Sequence, residues 1–334
     1  MYLNILCNLN MRIYILLFLY FLITNTQAQS QSQPNLNSLG SMQFIVPSSA
    51  GTTGDQLARL ISSKLSSRIN AAIVVDNKVG AGGLIGIDYV AKSVPDGKTL
   101  LFSATAFSTL SALRNDLPYD PIKNFSPIIL LGTSPLVFVV TNSMPAKNMK
   151  EFFDYVNKQP IGSVNYASPG VGSVHHLTSE MFLQETGIKL THVPYKASAT
   201  LINDIVAGHI QSAFVVLQTS SQMVLNGKMR MLAVLGQSRI SQFPSIPTMA
   251  ESGVPIPPIS AWFGISAPAN LPSSLVIQLN NEINQVLNMP ETRAAISKMG
   301  VEPVGGKPEK LEMLIKNELK IWSQVVKKGD IAVD

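Results

Sequence analysis

The sequence predicts an α/β fold with two domains, each built on a mostly parallel sheet flanked by helices. The chain has 334 residues, of which 46% are hydrophobic and 13% charged, so it is too apolar for disorder and long enough for two ordinary domains. From Phe44 onward, short β-branched runs alternate with amphipathic segments, an order that favours parallel strands. The alternation pauses near Val140 and starts again after Pro145, which predicts the second domain.

The amino-terminal segment has the three parts of a secretory signal peptide. An apolar run at 13–24 follows Arg12 and precedes Thr26-Gln27-Ala28, so residues 1–28 are expected to be removed by cleavage after Ala28. The run is shorter than the roughly 20 residues that a transmembrane helix needs, which makes an uncleaved anchor the weaker alternative. Either Met1 or Met11 is the start.

The mature chain is expected to lack cysteine, because the single cysteine, Cys7, precedes the apolar run. This excludes disulfides and a catalytic thiol and suits an exported protein. Residues 29–41 are polar and are predicted to be a flexible lead. The net charge of +5 is mild and the basic residues are scattered, so we expect no nucleic-acid partner.

The predicted elements follow the alternation. In the first domain, the expected strands are Phe44–Val46, 72–76, 99–102, 128–131 and 136–140, with helices beginning near Asp55 and Gly86. In the second domain, the expected strands are 164–166, 190–193, 214–217 and 231–235, with helices at 176–186 and 198–207. A return strand at 261–266 and a helical end at 273–328 complete the chain. The expected boundaries are 42–139 with 263–334 for domain I and 140–262 for domain II.

The loop after the first strand is the first candidate binding site. Small residues leave the main chain uncovered just before a helix, whose unpaired N–H groups and positive dipole end favour a carboxylate or phosphate. The alternative is an ordinary helix cap made by Thr53 or Asp55. The candidate ligand-binding residues of this loop are Ser48, Ser49, Ala50, Gly51, Thr52, Thr53 and Asp55.

A second small-residue loop precedes the helix at 176–186 and provides the counterpart. The two loops would form a clamp in which one domain holds the ligand and the other closes on it, with crossing segments near Val139 and Trp262. Trp262 and Phe263 either line this cleft or belong to a buried strand. The candidate ligand-binding residues here are Ser168, Gly170, Val171, Gly172 and Ser173, with Ser103, Thr105 and Val215 at the ends of neighbouring strands.

Eight stretches in register resemble the Bug-type receptors, the extracytoplasmic solute-binding components of tripartite tricarboxylate transporters. They run from about residue 44 to the C-terminal region: VPSSAGTTGDQLARL, VVDNKVGAGGLIGIDYVAKSVPDGKTLL, LPYDPIKNFSPI, YASPGVGSVHHL, THVPYK, FPSIPTMAESGV, AWFGISAPANLP and VEPVGG. The resemblance implies a two-domain periplasmic binding protein of the Venus flytrap, type II-like class. It also implies a monomer without cofactor or metal that is not an enzyme. Its partners would be a small organic acid and the membrane permease subunits.

The first loop departs from the family pattern. Family members usually carry an aromatic residue, two prolines and two glycines after Val-Pro, whereas residues 48–52 here are Ser, Ser, Ala, Gly and Thr. The aromatic lid over the ligand is therefore missing. Ala197 stands where glycine is common, and Val215-Val216 replaces an Asp or Asn of many relatives. We hypothesise from the last difference that the ligand has no amino group.

Other functions have weaker support. The glycine-rich run at 80–86 resembles a dinucleotide-binding turn but has Ile85 where the third glycine is needed. No Gly-x-Ser-x-Gly run is present for a serine hydrolase. The four histidines lack the spacing of a zinc site. A receptor that reports to a membrane sensor instead of a permease stays an open alternative.

Overall fold

The computed structural model describes residues 36, 39–114, 116–196 and 198–332. The strands are β1 Ser41–Val46, β2 Ala72–Asn77, β3 Thr99–Ala104, β4 Phe125–Thr141, β5 Asn165–Ser168, β6 Thr191–Pro194, β7 Ser212–Val216, β8 Met229–Val234, β9 Ser260–Pro268 and β10 Glu302–Pro303. The helices are α1 Thr53–Ile69, α2 Leu84–Ala91, α3 Ala106–Leu113, α4 Met149–Val156, α5 Val174–Thr186, α6 Ser198–Ala207, α7 Leu217–Leu225, α8 Ser273–Asn288, α9 Pro290–Lys298 and α10 Glu309–Gly329.

The predicted signal peptide lies outside the described residues, as does most of the predicted lead. Leu36 and Leu39, two residues of that lead, are buried in the core beside α1 and α8, and β1 already begins at Ser41. None of the helices in the described part of the chain combines the length and apolarity needed to cross a bilayer.

The first lobe is a sheet made of β1, β2, β3, β9, β10 and the first part of β4. Strand β1 lies between β2 and β3 and runs parallel to both, while β9 pairs antiparallel with β3 and β4. Because β1 and β3 run in the same direction, Val46 and Ala104 end at the same edge of the sheet, and Phe263 of β9 pairs with Ala104 there. This edge carries the first predicted loop.

The second lobe is a sheet made of β5 to β8 and the last part of β4. Strand β5 runs parallel to β6 and β7, and β4 pairs antiparallel with β7 and β8. Ser168 and Val216 therefore end at one edge, where the second predicted loop begins. The predicted α/β class with two lobes is confirmed, although each sheet also contains antiparallel strands.

Strand β4 joins the two lobes and is longer than the sequence suggested. Its partner changes from β9 at Pro135 to β7 at Leu136, which lies before the predicted crossing at Val139. The prediction of separate strands at 128–131 and 136–140 was wrong, because one continuous strand runs from Phe125 to Thr141. A side chain at Gly132 would lie 2.6 Å from the carbonyl oxygen of Glu302, so glycine permits the close approach of β10.

Helix α10 packs on both lobes. Leu311 and Ile315 belong to the core under β1 and β3, whereas Trp322 and Val325 belong to the second-lobe core. The apolar face of a long amphipathic helix explains this arrangement, because it covers both cores in succession. Glu318 lies between the two sets and is 4% exposed.

Candidate functional site

A cavity of about 300 Å³ opens at the edge where β1 and β3 end. Its wall combines residues of the first loop, the start of α1, the glycine-rich turn before α2 and the start of α3. The lining residues are Val46, Pro47, Ser48, Thr52, Thr53, Gly54, Gly83, Ile87, Phe102, Ser103, Ala104, Ala106, Phe107 and Phe263. The volume is at the lower end of the range for small-molecule sites.

The first loop is fixed by side chains on α1 and β2. Asp55 accepts hydrogen bonds from the Gly51 amide (2.9 Å), Arg59 (3.1 Å) and Asn77 (3.0 Å), and Asn77 also donates to the Ser48 carbonyl (3.0 Å). The hydrogen bond from Arg59 is the main cause that holds the pKa of the Asp55 carboxyl below its ordinary value. Asp55 therefore supports the loop from behind and is 3% exposed.

The helix cap is Thr52, and the expectation of a cap at Thr53 or Asp55 was wrong. The Thr52 hydroxyl accepts a hydrogen bond from the Asp55 amide (3.4 Å) and donates to the Ser49 carbonyl (2.9 Å). Thr52 has extended backbone angles that suit a capping residue. The next two amides, those of Thr53 and Gly54, have no acceptor among the described residues.

These two amides lie beside an aromatic wall. A side-chain carbon added at Gly54 would lie 3.8 Å from the rings of both Phe102 and Phe263 and 3.7 Å from the Ser48 hydroxyl. The ring centroids of Phe102 and Phe263 are 6.4 Å apart. The donor end of α1 and the apolar part of the cavity therefore meet at Gly54.

Ser103 and Thr105 differ in their surroundings. The Ser103 side chain belongs to the cavity wall, is 1% exposed, and its hydroxyl has no hydrogen-bond partner in the described part of the chain. The Thr105 hydroxyl instead accepts a hydrogen bond of 2.8 Å from the Trp262 amide and does not line the cavity. Thr105 thus joins the start of α3 to β9.

The second loop is closed on itself by its own serines. The Ser168 hydroxyl donates to the Gly170 carbonyl (3.0 Å), and the Ser173 hydroxyl donates to the same carbonyl (2.7 Å) while it caps α5 by accepting from the His176 amide. Gly170 and Gly172 have φ angles of 128° and 77°, which glycine adopts readily. The main chain of this loop is therefore held in one shape, with Val171 exposed and Gly172 buried.

A stack of three rings supports the second loop. The ring of His192 lies between those of Tyr166 (4.9 Å) and His176 (4.1 Å), and His192 Nε2 is 2.8 Å from the Ser168 hydroxyl. The Gly172 amide donates to His176 Nδ1 (3.2 Å), so this nitrogen carries no proton. Burial lowers the pKa of both histidines to about 4.

The predicted residues thus fall into four groups. Ser48, Thr52, Thr53 and Ser103 line one cavity, while Ser49, Ala50, Gly51, Asp55 and Thr105 lie around it without lining it. The second-lobe residues Ser168, Gly170, Val171, Gly172 and Ser173 form their own loop and do not line this cavity. Val215 is 2% exposed and packs in a second-lobe core.

Sequence reasoning missed most of the apolar wall. Phe102 was predicted only as a strand residue and Gly83 as part of a turn, and no role was predicted for Ile87 or Phe107. Alternation along β3 places Phe102 and Ala104 on one face. Of the two aromatic residues considered, Phe263 lines the cavity and Trp262 is fully buried. The position of Phe263 depends on its pairing with Ala104, which a sequence pattern does not show.

A larger groove of about 870 Å³ lies where β4 passes between the lobes. Its wall carries charges of both signs, among them Arg239, Lys298 and Glu302, and Arg239 is paired with Glu251 at 2.9 Å. None of the predicted site residues lines it. Across the described residues, no group of three His, Cys, Asp or Glu side chains is placed to hold a metal ion.

Comparison with known proteins identifies relatives along most of the chain. Residues 57–331 match the family model described as the tripartite tricarboxylate transporter family receptor. A protein from the tcbD-tcbE intergenic region of Pseudomonas sp. strain P51 is 34% identical over 85% of this chain and 84% of its own length. Protein BugT of Bordetella pertussis is 31% identical over 86% of this chain and 88% of its own length.

Solved structures agree in fold. The R. palustris protein Rpa4515 with adipate has a TM-score of 0.75 and 32% identity over 87% of this chain and 98% of its own. The periplasmic binding protein BugD has a TM-score of 0.72 and 29% identity, and the match covers 87% of this chain and 98% of BugD. MatC of Rhodopseudomonas palustris with malate has a TM-score of 0.73 and 26% identity, and the match covers 86% of this chain and 99% of MatC. Since these relatives are receptors, the prediction that the chain is not an enzyme is confirmed. The chain belongs to the family of tripartite tricarboxylate transporter receptors.

Proposed function

We propose that the protein captures a small carboxylate metabolite between its two lobes in the periplasm and delivers it to the membrane permease of a tripartite transporter. The family supports the receptor role, and two of the related structures hold adipate and malate. The observation that carries the proposal is a pair of amides at the wall of the first-lobe cavity, those of Thr53 and Gly54, which have no acceptor among the described residues.

These amides suit a carboxylate for a physical reason. They are the first N–H groups of α1, where the helix dipole is positive, and Asp55 nearby is already neutralised by Arg59. A carboxylate at this position would accept two amide hydrogen bonds without a basic side chain. Hydrogen bonds to a charged group contribute about 1.5–3 kcal/mol each.

The second loop is proposed to close over the ligand. Its main chain is partly exposed at Gly170 and exposed at Val171, and the loop is fixed in shape by Ser168 and Ser173. Closure would bend the two connecting strands, β4 and β9, and would leave each lobe intact. The proposed lobes are 42–139 with 263–334 and 140–262, and the mature protein would begin after Ala28.

The ligand is proposed to lack an amino group. The wall of the first-lobe cavity contains no Asp or Glu among the described residues, and the Val215 side chain is packed in the core. An ammonium group entering this cavity would lose its hydration without gaining a negative partner, which is unfavourable.

The test is a binding screen of the protein purified from the periplasm without denaturation. Native mass spectrometry would detect an acid that is retained, and thermal shifts would be measured with mono- and dicarboxylates and amino acids. An acid at 100 times its dissociation constant should add about 2.7 kcal/mol to the free energy of unfolding. Stabilisation by amino acids but by no plain carboxylate would contradict the proposed ligand class. Delivery would be tested by loss of uptake of the same acid from cells that lack the protein.

A further inference from the structure

The first-lobe cavity is apolar along most of its wall. Its side chains include Val46, Ile87, Phe102, Phe107 and Phe263. The hydroxyl residues Ser48, Thr52 and Thr53 belong to the loop and the first turn of α1, where they are half-buried or exposed. The ligand would therefore meet polar groups at one end and hydrocarbon beyond them.

The polar and apolar parts are adjacent. The backbone of Gly54 offers an unpartnered amide, and the space at its α-carbon lies within 3.8 Å of both Phe102 and Phe263. A carboxylate held by this amide would place the atoms attached to it directly against the two rings. The body of the ligand would extend into the cavity.

No lining side chain of this cavity, within the described residues, carries a charge. The nearest charged group along the loop, Asp55, uses both of its oxygens for Arg59, Asn77 and Gly51. A second carboxylate in the cavity would lose its hydration with no cation to replace it.

One buried polar atom in the wall points to a ligand. Ser103 is 1% exposed and its hydroxyl has no hydrogen-bond partner among the described residues, although buried polar groups are generally hydrogen-bonded. A neutral hydroxyl can donate one hydrogen bond to an oxygen of the bound molecule. It cannot balance a full second charge.

We propose that this receptor selects acids with one carboxylate and an apolar body, and that the first-lobe cavity takes up that body. This inference rests on the proposed function, because it assumes that the carboxylate is held at the start of α1. It goes further by naming the class of acid, which differs from the dicarboxylates in two of the related structures.

The test compares hexanoate with adipate, which have the same number of carbon atoms and differ by a second carboxylate in place of a methyl group. Isothermal titration calorimetry on the periplasmic protein is expected to show at least tenfold tighter binding of hexanoate. Equal or tighter binding of adipate would overturn the inference and leave the proposed function standing. Binding of neither acid would overturn the inference, and the proposed function would fall with it if no carboxylate of the screen stabilised the protein.

A pair of variants tests whether the apolar body of the acid binds in the first-lobe cavity. Phe263→Ala removes an aromatic wall residue that is only half-buried, so it is expected to fold, with circular dichroism as the check. It should weaken the binding of hexanoate at least tenfold and the binding of acetate by a smaller factor. Ile277→Ala is the matched truncation outside the cavity, because Ile277 is 58% exposed on the surface of α8. It should change the affinity for neither hexanoate nor acetate. Equal losses for hexanoate and acetate in Phe263→Ala would contradict a cavity that holds the apolar body.

Discussion

The indole Nε1 of Trp262 donates a hydrogen bond of 2.8 Å to Oε2 of Glu318, and both side chains are buried where β9 meets α10. The same oxygen accepts a hydrogen bond from Ser108 of α3. Desolvation raises the pKa of the Glu318 carboxyl to about 7, although both hydrogen bonds act in the opposite direction. Since α10 packs on both lobes, this carboxyl lies at the junction between them.

Glu318 should make stability depend on pH. Its folded pKa of about 7 is above the ordinary value of 4.5, so its contribution is complete below about pH 4.5 and is lost as the pH rises through 7. Glu318→Gln keeps a side-chain oxygen that can accept from Trp262 but removes the titratable carboxyl. Between pH 5 and 8 the free energy of unfolding of the variant is expected to rise relative to that of the wild type, by up to about 3 kcal/mol.

Urea unfolding of both proteins at four pH values would measure this difference. The buried histidines titrate in an overlapping range, but they are common to both proteins and cancel. A difference in the free energy of unfolding that stays constant from pH 5 to 8 would show that Glu318 does not change its protonation there.

Thr53→Pro removes one of the two amides proposed to hold the carboxylate. Proline is tolerated at the first position of a helix, and the extended backbone of Thr52 suits a following proline. Binding of the preferred acid is expected to weaken about tenfold or more, because a hydrogen bond to a charged group is lost. Thr53→Ala loses the same side chain but keeps the amide. Equal affinities of the two variants in calorimetry would argue against the amide contact.

His176 should hold the second loop through its unprotonated nitrogen. Its folded pKa of about 4 lies below the ordinary 6.5, so its contribution is complete above about pH 6.5 and is lost as the pH falls through 4. His176→Phe keeps a stacking ring but leaves the Gly172 amide without its acceptor. We expect a loss of about 1–3 kcal/mol and faster hydrogen exchange of that amide.

His176→Asn offers an acceptor near the same place and serves as the comparison. It should protect the Gly172 amide better than His176→Phe does. Similar exchange rates in the two variants would mean that packing, and not this hydrogen bond, fixes the loop.

Ser48→Phe restores an aromatic residue at the position where the family usually carries one. Ser48 lines the cavity and is half-buried, so the ring is expected to occupy the mouth of the cavity. Affinity for hexanoate should fall at least tenfold and the preference over adipate should shrink. Thermal shifts with both acids would measure this, and an unchanged preference would mean that Ser48 does not control access.

The sequence was informative where local chemistry decides the structure. Small residues followed by a periodic apolar stripe predicted the start of α1, although the cap was expected at Thr53 or Asp55 and is Thr52. Ser198–Ala207 was predicted with its observed bounds, because its apolar residues repeat at helical spacing. The two loops were found because each joins a strand to a helix through small residues.

The rest depends on contacts between distant parts of the chain. The sequence suggested two separate strands at 128–131 and 136–140, but β4 is continuous between them and pairs with β10 at Gly132 and Thr133. The start of α7 at Leu217 was interpreted as the end of a strand, because an apolar run has no period that separates the two, and no side chain caps this helix. The cavity wall could not be predicted, since Phe102 and Phe263 meet only through the pairing of β3 with β9.

A carboxylate is proposed to bind at the first amides of α1, and titration of ¹⁵N-labelled protein with hexanoate, followed by amide chemical shifts, would detect this contact residue by residue. The Thr53 and Gly54 amides are expected to shift together and to saturate with the dissociation constant from calorimetry, with Gly170 and Gly172 following as the lobes close. Saturating shifts around Gln218 and Lys298 in the groove between the lobes, with Thr53 and Gly54 unchanged, would show that the acid binds elsewhere.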